Sequence, residues 1–196
     1  MLRVGVFMGA FAPIHKGHVE AARAFIEQMW LDVLFVVPTC KHDAQDVSGE
    51  DRIECCRIAF RDIDGVIVSD MALKRGDKDR ISTLRELSEG GERRLFMLCG
   101  SDEMLTLDSH GDVAEIFKLC YPVYARRENE RSLDARIIAK NTEYFEKYGR
   151  YVIKLDAPVT EISSGEIRRM IKRGEDVSAY VDSEVLNYIN EKEQYR

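Results

Sequence analysis

The chain has 196 residues, enough for one domain with a buried core, and its 45% hydrophobic and 33% charged residues are those of an ordinary globular protein. A formal net charge of -6 speaks against a general nucleic-acid binder, although local basic clusters around Arg126 and Arg168 could meet phosphates. No apolar stretch approaches the ~20 residues a membrane helix needs, and the first residues run into a glycine-containing motif, so they read as a strand and not as a signal peptide.

The elements alternate along the chain. Strands are predicted at Leu2–Met8, Val33–Pro38, Val66–Ser69, Leu95–Cys99, Tyr121–Ala125 and Tyr151–Leu155. Helices are predicted at Gly17–Trp30, Glu50–Phe60, Thr83–Ser88, Ala114–Leu119, Leu133–Tyr148, Ser164–Lys172 and Ser183–Lys192. Short apolar strands separated by helices imply a Rossmann-like α/β fold, a doubly wound, mostly parallel sheet with a helical C-terminal part. With no repeat, low-complexity tract or linker, residues 1–196 read as one domain. The polar segments Lys41–Gly49 and Lys74–Arg80 read as loops over the site. Cys40, Cys55, Cys56, Cys99 and Cys120 form no C-x-x-C pair, and most lie in apolar contexts, which fits free thiols in a reducing cytoplasm. Cys40, in a polar loop, is the exception.

Three places carry chemistry. The first is Gly9-Ala10-Phe11-Ala12-Pro13-Ile14-His15-Lys16-Gly17-His18, between the first strand and the first helix. Free N–H groups and the dipole at that helix start favour an anion. Gly9 and Gly17 let a ligand approach, and His15 and His18 can face one pocket. A metal pair is the weaker reading, because no third ligand stands nearby; ordinary loop histidines are the other alternative. The second place is Ile162-Ser163-Ser164-Gly165-Glu166-Ile167-Arg168, where Ser163 and Glu166 make a capping-box pattern. Taken alone it is a plain helix cap; beside the first motif it becomes a phosphate site. The third is Gly100-Ser101-Asp102 at the end of the fourth strand, where a turn or a cap is the default reading.

With these residues in place, the chain resembles the HxGH nucleotidyltransferase superfamily, and within it the bacterial nicotinate-mononucleotide adenylyltransferases. The resemblance rests on G-x-F-x-P-x-H-x-G-H at Gly9 to His18 and on I-S-S-x-x-I-R at Ile162 to Arg168. It implies transfer of AMP from ATP to nicotinate mononucleotide, with Mg²⁺ carried on the ATP and no protein-held metal. It assigns catalysis to His15, His18 and Arg168. It assigns ATP binding to those three together with Gly9, Ala10, Phe11, Gly100, Asp102, Ile162, Ser163 and Ser164. Thr39, Lys41, Thr83 and Arg126 become the acceptor-binding candidates. The chain departs from the pattern at Ala12 and Ser82, where an acidic residue is usual, and at Gly165, where Thr is usual. The family's Trp after the G-x-D strand is absent, and the only Trp is Trp30. Two other readings stay open: a sister transferase acting on another phosphorylated acceptor such as phosphopantetheine, and a non-catalytic nucleotide-binding relative. The sequence leaves the oligomeric state open.

Overall fold

Six strands pair in parallel in the order β3-β2-β1-β4-β5-β6. They are β1 (Leu2–Gly9), β2 (Val33–Pro38), β3 (Val66–Val68), β4 (Arg93–Gly100), β5 (Cys120–Ala125) and β6 (Ile153–Leu155). The computed structural model describes residues 1–40, 47–76, 80–89, 91–110, 112–126, 131–158 and 161–196. The chain runs outward from β1 through β2 to β3, then returns to lay β4 on the other side of β1, with Leu2 opposite Arg93 and Phe7 opposite Leu98. That reversal makes the gap beyond the carboxyl ends of β1 and β4 the topological switch point, where open α/β sheets bind ligands. The predicted fold class is the observed one.

Alternation along the strands explains why each apolar run is nearly continuous. On β4, Phe96 and Leu98 join one core while Leu95, Met97 and Cys99 join the other. The first core is closed by α1 (Lys16–Gln28), α2 (Gly49–Phe60), α8 (Ser164–Lys172) and α9 (Ser183–Glu191), through Phe25, Cys56, Ile167 and Ile189. The second is closed by α3 (Met71–Arg75), α4 (Arg80–Ser88), α5 (Ser101–Leu105), α6 (Val113–Leu119) and α7 (Arg131–Tyr148). A sheet covered on both faces requires apolar residues at both phases of the strand repeat. No described helix is long and apolar enough to cross a membrane.

The differences from expectation are local. Helix α1 stops at Gln28, two residues short of Trp30, which adopts a left-handed φ of 45° with its ring 78% exposed as the chain turns toward β2. Strand β6 starts at Ile153 instead of Tyr151, because the Asn141 side chain takes both backbone groups of Val152, at 2.7 and 3.0 Å. Lys74 and Arg75, expected in a loop, close α3, with Lys74 paired to Asp70 at 3.0 Å and Gly76 ending the helix at φ 67°. Helices α3 and α5 span five residues each, less than two turns, so no helical period develops for a sequence pattern to display. Residues 41–46 and 77–79 lie outside the described residues, and with them Lys41 and His42.

Candidate active site

The site begins where β1 hands over to α1. A Cβ at Gly9 would stand 3.1 Å from the Phe11 ring, tighter than an ordinary contact. Phe11 itself takes a left-handed φ of 46°, unusual for a bulky residue, and is 2% exposed. The Ala12–Pro13 peptide bond is cis. His15 then serves as the N-cap of α1, and its backbone N–H donates to Nδ1 of His18 at 3.3 Å. With Nδ1 accepting, a neutral His18 carries its proton on Nε2. The two imidazoles stack with centroids 3.7 Å apart. Phe11 meets His18 edge-on at 5.2 Å and Phe7 lies 5.9 Å away, so aromatic packing on three sides fixes the ring.

Both histidines line a cavity at the switch point. Phe7 from β1, Leu98 to Gly100 from β4, Ala125 and Arg126 from the end of β5, and Pro158 and Ile162 after β6 complete its wall. Gly17 and Ala21 supply the α1 side. Burial holds the Cys99 thiol well above its ordinary value, so this wall is neutral and not nucleophilic. Arg126 pairs with Asp134 of α7 while facing the cavity.

The helix start offers fewer N–H groups than the sequence suggests. The Lys16 N–H donates to the Tyr180 carbonyl at 2.8 Å, and that of His18 donates to the His15 carbonyl at 2.9 Å. Gly17, which lines the cavity, is the position in this first turn whose N–H has no acceptor among the described residues.

The second motif docks onto the first. Ser163 caps α8, its Oγ accepting from the Glu166 N–H at 3.1 Å, so the capping-box expectation holds for Ser163. Ser164 Oγ donates to the Pro13 carbonyl at 2.8 Å, and Arg168 Nη1 donates to the Ala12 carbonyl at 2.5 Å. Residues more than 150 apart in sequence thus share one loop. At the end of β4, Gly100 caps α5 and lines the cavity, while Asp102 is exposed in the first turn of α5.

The acceptor candidates divide. Arg126 lines the cavity and Thr39 lies at the end of β2, its N–H donating to the Gly9 carbonyl at 2.8 Å. Thr83 is elsewhere: it is 1% exposed within α4, and its Oγ1 accepts from Arg75 Nη2 at 2.5 Å, so it does not line the cavity. Arg52 of α2, not singled out by sequence, is 4% exposed and donates to the Ala10 and Thr39 carbonyls at 2.6 and 2.9 Å. Its signal was available, since it shares a helical stripe with the buried Cys55, Cys56 and Phe60. A charge on an apolar stripe calls for buried partners.

A doubly wound sheet with two motif loops meeting at its switch point places both motifs where open α/β sheets bind ligands. The profile of the cytidylyltransferase-like family matches residues 6–170, and the chain belongs to that family. It is 28% identical over 204 residues to a probable nicotinate-nucleotide adenylyltransferase of Clostridium botulinum (strain Loch Maree / Type A3), with 100% of each chain covered. A protein of the same description from Geobacter sp. (strain M21) is 29% identical over 212 residues, covering 99% of this chain and 98% of that one. Among solved structures, Plasmodium falciparum nicotinic acid mononucleotide adenylyltransferase complexed with NaAD superposes with a TM-score of 0.76 at 16% identity, covering 100% of this chain and 98% of that one. That likeness is one of fold.

Proposed function

We propose that this chain is an adenylyltransferase that moves AMP from ATP to nicotinate mononucleotide, releasing pyrophosphate and nicotinate adenine dinucleotide. The observation that carries the reading is the stacked pair His15 and His18 facing the switch-point cavity, with the second motif clamped onto the loop that bears them. The full-length similarity to nicotinate-nucleotide adenylyltransferases supports the same acceptor.

The reaction needs no protein nucleophile. An oxygen of the acceptor phosphate forms a bond to the α-phosphorus of ATP, and the bond from that phosphorus to the β-bridging oxygen breaks. The protein must align two anions and stabilise the charge that builds on the phosphorus oxygens and leaving group. His18 donates from Nε2, in a ring that packing already holds in one orientation. His15 and the Gly17 N–H stand beside it. The ends of β4 and α8 address the rest of the nucleotide, with Gly100 and Asp102 toward the nucleoside and Ser163, Ser164 and Arg168 toward the outer phosphates. Arg126, Thr39 and Lys41 take the acceptor.

Among the described residues no group of three or more His, Cys, Asp or Glu could hold a metal ion. When bound with ATP, Mg²⁺ would supply charge neutralisation at the phosphates. A cytoplasmic location is consistent with the five cysteines, which are free.

The test is pyrophosphate release by purified protein with ATP, Mg²⁺ and a panel of acceptors. Turnover with nicotinate mononucleotide is expected. Turnover with phosphopantetheine alone would move the chain to a sister activity, and ATP binding without turnover on any acceptor would make it a binding relative.

A further inference from the structure

Arg52 carries a buried positive charge that pairs with no carboxylate among the described residues. Its Nε is buried without a hydrogen-bond partner, and burial pulls the guanidinium below its ordinary value. Removing a charge from water without a counter-charge is costly. What the charge holds is two backbone carbonyls, those of Ala10 and Thr39, from a single Nη1. The carbonyl before them in the motif, Gly9, is tied to the Thr39 N–H at 2.8 Å.

In a trans peptide the C=O and the following N–H point in opposite directions. Tying the Gly9 and Ala10 carbonyls toward β2 and α2 therefore turns the Ala10 and Phe11 N–H groups away from them. Neither N–H donates to a protein acceptor among the described residues. Phe11 takes a left-handed φ of 46°, and a left-handed residue is one half of the αR–αL turn whose successive N–H groups form an anion-binding nest. For a bulky residue that conformation is strained and persists only when its surroundings impose it. Arg52 imposes it from one side of the peptide and the packing of the Phe11 ring against Phe7 and His18 from the other.

We propose that Arg52 is a positioning residue: by holding the Ala10 and Thr39 carbonyls it sets the Ala10–Phe11 amides as a nest for a phosphate oxygen of the substrate. The proposal rests on the adenylyl-transfer reading only for which phosphate enters, since the nest is a property of the loop.

Kinetics and amide NMR of Arg52→Ala and Arg52→Lys test it, with inorganic pyrophosphate as the probe. A positioning role predicts that kcat falls about tenfold or more in Arg52→Ala with a smaller change in KM for ATP, since aligned donors act on the transition state. Lys, with one compact ammonium, should restore part of that loss. In the wild-type protein pyrophosphate should shift the Phe11 amide resonance, and Arg52→Ala should abolish that shift while the α8 start still responds. A lower melting temperature with unchanged kcat would reduce Arg52 to a structural residue and overturn the proposal. A rise in KM alone would make it a direct substrate contact instead. A wild-type Phe11 amide indifferent to pyrophosphate overturns it whether or not the variants fold. If the wild type turns over no acceptor, the functional reading fails, and the NMR arm still decides the role of Arg52.

Discussion

At the scale of single residues, His18 is the side chain on which the proposed chemistry most depends. Its Nδ1 accepts from the His15 N–H, its ring is enclosed by aromatic groups, and it lines the switch-point cavity. Replacing it with Ala should lower kcat by about 100-fold or more, the scale for one transition-state donor, while ATP binding in calorimetry stays within a few-fold of wild type. Near-normal turnover in that variant would remove His18 from the mechanism. Arg168 stands differently, because Nη1 already holds the Ala12 carbonyl. If the rest of its guanidinium serves the outer phosphates, Arg168→Ala will weaken ATP and pyrophosphate more than AMP. Equal losses for AMP and ATP would assign Arg168 wholly to holding the loop.

At the scale of elements, helix α8 shows what one departure from the family pattern does. Gly165 sits in its first turn, where a Cβ would find Arg168 Nη2 at 3.7 Å and Ser163 Oγ at 3.8 Å, ordinary contact distances. Nothing in the local packing therefore requires glycine. Gly165→Ala should stabilise the protein by about 0.5–1 kcal/mol through helix propensity and a less flexible unfolded chain. The urea midpoint should rise with an unchanged m-value; a lower midpoint would show that the position needs an unencumbered backbone. The contact between the turn at Leu107–His110 and α7 makes a second case. Lys140 donates to Asp108 at 2.5 Å, and this hydrogen bond holds the Asp108 carboxyl below its ordinary value. A carboxyl depressed in the folded state adds stability that is present above its unfolded value, about 4, and is lost as pH falls through the lower folded value. Asp108→Asn should thus be less stable than wild type at pH 7, with the gap closing below about pH 4. A gap in melting temperature that is constant from pH 7 to pH 3 would mean the contact is one of shape and not of charge.

For the whole molecule, the question is which acceptor the cavity selects. Arg126 faces it from the end of β5, already paired with Asp134. Nicotinate mononucleotide carries a ring carboxylate that its nicotinamide counterpart lacks. Donors arranged for an anion lose more when buried without one than they gain from a neutral amide. A higher kcat/KM for nicotinate than for nicotinamide mononucleotide is expected in parallel assays. Comparable values would refute the anion-pocket argument. Thr83 lies buried in α4 with its Oγ1 accepting from Arg75, away from the cavity that Arg126 lines.

The sequence by itself determined the alternation of strands and helices, the apolar content of both sheet faces, the cap at Ser163, and the loop in which His15 and His18 lie. Each depends on neighbours within about one helical turn or one strand pair, so a short window of residues displays it. Only the tertiary structure decided what those motifs do to one another. The Ala10 carbonyl is held from 42 residues away by Arg52, and the Ala12 carbonyl from 156 residues away by Arg168. No local pattern encodes a side chain's bond to a distant carbonyl. The same reason explains Lys16, whose N–H looks free at a helix start until the turn at Tyr180 folds back to accept it. Periodicity records which face a residue occupies; the partner on that face is chosen when the sheet brings the ends of β1, β2 and β4 to one edge.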